Sequence, residues 1–176
     1  MRTENIFSKL KSLPGDKKVL FFIIMAELLI RRKLNINTRN TYLINTVDLC
    51  WEWLQKKTIS GNDLYLNLEN LDDTGILSIV QDIKDEDELS IWICIAEILA
   101  FTIHQAYKHQ NEIYLPQTIE CVDLKETLDN VMVIFRNQVE NSDKVLNKIY
   151  KKVQRTDVST LASKTEFMAK FHKDII

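Results

Sequence analysis

Three glycines and two prolines in 176 residues constrain the fold of this chain more than any other feature. Sandwiches and barrels turn every few residues and draw on glycine and proline to do so. A chain this poor in both must run in long elements with few corners. Its abundant leucine, lysine and glutamate suit helices. The expectation is an all-α fold, one domain over residues 1–176, long enough to bury a real core.

Apolar periodicity divides that fold into a bundle of six or seven helices. Two of them, at about 17–32 and 86–109, read as central and apolar on every side, through Val19–Met25 and Ile91–Phe101. Asp16 is placed to cap the first and Thr38 a second helix over 39–57, with Gly61 beyond its end. Residues 62–75 stay open: Leu64, Leu66 and Leu68 alternate like a strand, while Leu64, Leu68 and Leu71 fit a helix. A short helix follows at about 76–83, and 111–122 reads as a loop around Pro116. Asp123 opens an amphipathic helix, and two more follow through Leu146–Val153 and Leu161–Ile175. Ile23–Leu29 and Ile93–Leu99 share an Ala-Glu step 70 residues apart, an echo that chance explains as well as a repeat does.

Two of the three tryptophans flank one carboxylate in Leu49-Cys50-Trp51-Glu52-Trp53-Leu54. At about 100° per residue, Trp51 joins Leu43, Val47 and Leu54 on the core face. Trp53 falls on a second strip with Tyr42 and Leu49, while Asp48 and Glu52 share a polar sector. A neighbouring helix or a partner protein could cover the Trp53 strip, since exposed aromatics commonly anchor interfaces.

The net charge of −2 conceals a strong asymmetry. Residues 62–88 hold nine acids against one base, whereas 1–61 and 144–176 are basic. An acidic binding face and internal pairing with the basic ends both account for this. The three cysteines form no C-x-x-C pair, and Met1–Asn5 lacks a signal-peptide layout, so a reducing cytoplasm is the expected setting. The apolar run Val19–Ile30 is too short to span a bilayer.

No assembled catalytic motif emerges. Glu27 and Glu97 are the polar anomalies of the two apolar helices. A di-metal carboxylate bundle would want histidine three residues after each, where Ile30 and Ala100 stand. Arg31 is spaced to pair with Glu27 instead. His104, His109 and His172 have no ligand spacing. Asp73-Thr74-Gly75 matches an aspartic-protease tripeptide but lacks the β-loop and second half that chemistry needs. Neither a metal nor a cofactor is expected.

Three short motifs carry a family likeness: the opening Leu13-Pro14-Gly15-Asp16, a first apolar helix with an Ala-Glu step, and the second-helix run Asp48-Leu49-Cys50-Trp51-Glu52-Trp53. The chain resembles an all-helical immunity family of bacterial polymorphic toxin systems, immunity family six. The likeness covers roughly the first hundred residues and fades after Pro116. It implies a non-enzymatic cytoplasmic protein that neutralises a cognate toxin by stoichiometric binding, without nucleic acid or membrane as partner. An acidic face suits a basic, nuclease-type toxin. The expected contact residues are Asp48, Glu52, Trp53, Asp72, Asp73, Asp85, Glu86 and Asp87. The alternatives are an enzyme built on Glu27, Glu97 and His104, or a helical adaptor without a toxin.

Overall fold

A computed structural model describes residues 3–161 and 163–175, with side chains described for 6–161 and 163–172. Among these residues the chain forms ten α-helices and one 3-10 turn. The all-α architecture stands, and the count of six or seven is corrected to ten. The three additions are α1 (Thr3–Lys11), α4 (Gly61–Leu68) and α7 (Gln117–Glu120). Each is too short for a periodic signal, which needs eleven or more residues to rise above noise. Among the described side chains of α1, Ile6 and Leu10 are the buried pair, one turn apart.

α2 (Gly15–Lys33) follows Pro14, and Asp16 sits inside its first turn instead of capping it. There Asp16 accepts from Lys57 Nζ at 2.8 Å. α3 (Thr38–Lys56) is capped by Asn37, whose side chain accepts from Asn40 N. It closes on Lys57 in the left-handed conformation, φ 56°, which leaves Gly61 free to begin α4. That helix has a reciprocal Ser60–Asp63 capping box, so the open segment is helical as far as Leu68 and turns over 69–75.

α5 (Ile76–Gln81) leads to α6 (Glu86–His109), which Asp85 caps by accepting from Glu88 N. α8 (Leu124–Gln138) is capped by Asp123, and α9 (Ser142–Arg155) and α10 (Lys164–Ile175) complete the bundle, with the 3-10 turn Val158–Thr160 between them. α6 is the hub, packing against α2, α3, α4, α5, α7 and α8.

The expectation of two central, fully apolar helices is also corrected. Among the described residues only α6 is long and apolar enough, by length and composition, to cross a membrane; 61% of its apolar window is buried inside the bundle. Charges at both ends, Asp16 to Lys18 and Arg31 to Lys33, disqualify α2. Burial runs the other way. Every residue of α2 from Val19 to Ile30 is buried. α6 opens instead along Ile93, Glu97, Ala100 and His104, spaced one turn apart on one face. The more apolar helix is therefore the less enclosed one.

Candidate functional site

The Trp51-Glu52-Trp53 step points three ways, as helical spacing requires. Trp51 faces inward and donates its indole N–H to Glu27 Oε1 at 3.2 Å. The same carboxylate meets Lys164 Nζ at 2.6 Å and Arg31 Nε at 3.5 Å. Lys164 also pairs with Asp48, and Phe167 lies against the Trp51 ring at 5.6 Å between centroids. Glu27, anomalous in sequence, is thus a buried carboxylate held by an indole and two cations. Its partners come from α2, α3 and α10, so the cluster ties the C-terminal helix to the centre.

Trp53 is 1% exposed. Lys57 Nζ sits 3.5 Å above its ring centroid and His109 meets it edge-on at 6.4 Å. On the same strip, the Tyr42 hydroxyl donates to Asn67 O of α4 at 3.3 Å. Other parts of this chain cover the strip, which leaves Trp53 no surface to offer a partner. Glu52 points outward and pairs with Lys56 at 3.1 Å.

The acids of the central segment are placed differently. Asp72 and Asp73 are exposed on the turn after α4, where Asn70 Oδ1 accepts from Asp72 N and Thr74 N. Asp85, Glu86 and Asp87 are exposed at the start of α6. Two of them also serve the fold: Asp85 as the cap, and Asp87 by accepting from Gln138 Nε2 at 3.0 Å. No described contact links these five to Asp48 and Glu52.

Sequence reasoning missed a cleft of about 340 Å³ on the open face of α6, between α5, α7 and α8. Leu77, Val80, Ala96 and Ala100 give it apolar walls, and Glu97, Asp123 and Glu126 bring carboxylates. No lysine or arginine lines it. Glu97 accepts from Asn130 Nδ2 at 3.3 Å, and no cation among the described residues pairs with it. Partial burial, aided by the nearby Glu126 charge, pushes its carboxyl pKa above the ordinary value against the pull of that hydrogen bond. Cys121 is exposed at the cleft. The sequence signal was Glu97 itself, the one carboxylate in the otherwise apolar run Ile91–Phe101.

A family model described as Immunity protein Imm6 matches residues 17–138. The chain belongs to the Imm6 family. The match runs past Pro116, where the resemblance in sequence fades, and extends from the first turn of α2 to the end of α8. Glu27, Asp48, Trp51 and the cleft residues fall inside it, while Lys164 and α10 lie beyond it. Searches of curated proteins and of solved structures return no match. Imm6 membership identifies an immunity protein and not an enzyme. The structure does not assemble the alternative centre either. Glu27 engages Trp51, Lys164 and Arg31, Glu97 engages Asn130, and His104 Nδ1 is buried without a partner. Among the described residues, no group of three or more His, Cys, Asp or Glu could hold a metal ion.

Proposed function

We propose that this protein binds a cognate bacterial toxin in the cytoplasm and neutralises it as a stoichiometric complex. The observation that carries this reading is the Imm6 match across residues 17–138. The charge pattern supports a basic partner of nuclease type. Proteins that grip nucleic acid need cationic surfaces, and residues 62–88 offer nine acids against one base. Asp72, Asp73 and Glu86 are exposed there without a cation partner in the described contacts, so they can meet incoming lysine or arginine directly.

Co-expression with the product of the neighbouring reading frame tests the proposal. The expected result is relief of that product's toxicity and a complex of defined stoichiometry in light scattering. Charge reversal at Asp72, Asp73 and Glu86 together should slow association and weaken its salt dependence. Toxicity unrelieved by the wild-type chain would sink the reading.

A further inference from the structure

We infer that the cleft between α5, α6, α7 and α8 is the anchor pocket for the toxin, taking one apolar side chain beside a lysine or arginine that pairs with Glu97. The inference rests on the reading of this chain as a toxin-binding immunity protein. It concerns where the toxin is gripped and by what chemistry.

The first support is the apolar surface itself. Among the described residues α6 alone is long and apolar enough to cross a membrane, yet its outer strip is only partly covered, with Ile93 40% exposed. The pairing of Glu97 with Asn130 and of Ser90 with Gln138 sets α6 and α8 antiparallel. Ile93 lines the cleft, and that register puts Val133, 60% exposed, at about the same level along α8. Exposed apolar side chains beside an apolar-walled cleft are a common feature of interaction sites.

Charge selects the occupant. Glu97, Asp123 and Glu126 all line the cleft and no base does. Glu97 is half-withdrawn from water with only an amide to satisfy it, so its carboxylate is the group most improved by an arriving cation. The α5 wall belongs to the strongly acidic stretch 62–88, which extends the same sign beyond the cleft. A basic partner presenting an apolar anchor satisfies both requirements, and about 340 Å³ admits such a side chain.

The chain carries its own reporter. Cys121 is exposed at the cleft, while Cys50 and Cys94 are buried. Burial raises both of those thiols, Cys50 to about 12, so a maleimide reads the cleft alone. The experiment mixes the full chain with a catalytically inactivated product of the neighbouring reading frame. Cys121 labelling should slow at least tenfold in the complex. Glu97→Lys and Ala100→Trp should each weaken binding at least tenfold, whereas Lys151→Glu on α9 should not. Circular dichroism establishes that each variant is folded, and the labelling result needs no variant. Unchanged labelling in a complex that does form, or full affinity in both cleft variants, overturns the anchor pocket and leaves the immunity reading standing. Absence of any complex with the wild-type chain overturns both.

Discussion

Trp51 donates its indole N–H to Glu27 in the buried centre of the bundle, 3.2 Å from nitrogen to carboxylate oxygen. The bond explains why a helix as enclosed as α2 tolerates a carboxylate: three donors converge on it, one of them attached to a large apolar ring. Trp51→Phe retains most of the ring and removes the donor. The expected cost is about 1–3 kcal/mol, the penalty for an under-satisfied buried polar group. Trp51→Ala should cost about 3–5 kcal/mol, because a cavity is added. Urea titrations followed by circular dichroism measure both. Equal midpoints for Trp51→Phe and wild type would show that the indole N–H contributes nothing.

Lys164 of α10 forms an ion pair with Glu27, and it pairs with Asp48 as well. Breaking a fully buried ion pair costs about 3–5 kcal/mol. The Lys164 side chain keeps 23% exposure, so Lys164→Met should fall lower, at about 1–3 kcal/mol. Amide exchange in α10 should accelerate before that in α6, since the tie is local. The double variant Glu27→Gln with Lys164→Met should cost less than the sum of the singles. Strict additivity would mean that the pair does not couple.

What the residues disclosed and withheld follows from the range of each interaction. The bounds of α6 were legible because Asp85 and the acids after it mark a helix start, and Lys108 and His109 suit its end. Arg31 was legible as the partner of Glu27 because helical neighbours lie four residues apart. Lys164 was not: it stands 116 residues from Asp48, and no periodicity connects them. Trp51 could be assigned to the core from the angle alone. The cover over Trp53 could not, since it depends on His109 at the far end of α6 and on the neighbouring α4. The cleft shared that fate, because which side of α6 stays open depends on where α5, α7 and α8 settle.

His104 and His172 give stability a pH dependence whose sign is fixed. Burial lowers both below the ordinary 6.5, assisted by Lys108 at His104 and by Arg31 and Arg32 at His172, where Glu27 opposes. Each histidine is neutral more readily in the folded chain than in the unfolded one. Their contribution is therefore present above pH 6.5 and is lost as pH falls through the lower folded values. Unfolding midpoints should decline below that pH, and His104→Gln with His172→Gln should flatten the decline. A profile unchanged by both substitutions would assign the acid limb to other groups.

Glu97 has the opposite sign and separates stability from binding. Its folded carboxyl titrates above the ordinary 4.5, chiefly through burial. A carboxyl raised in this way favours the fold at low pH and loses that contribution as pH rises through its folded value. At neutral pH the charged form is a small burden, so Glu97→Gln should raise the unfolding temperature there, by about a degree or two at most for a group only half withdrawn from water. Near pH 4 the gain should vanish. Asn130 can still donate to the amide oxygen, so the local packing survives. Toxin binding should move the other way and weaken, since a neutral amide offers an incoming cation much less. Differential scanning calorimetry at the two pH values, beside isothermal titration with the inactivated toxin, reads both effects from one variant. A glutamine that lowers stability at neutral pH would show that the Glu97 charge is satisfied within the chain and has no need of a partner.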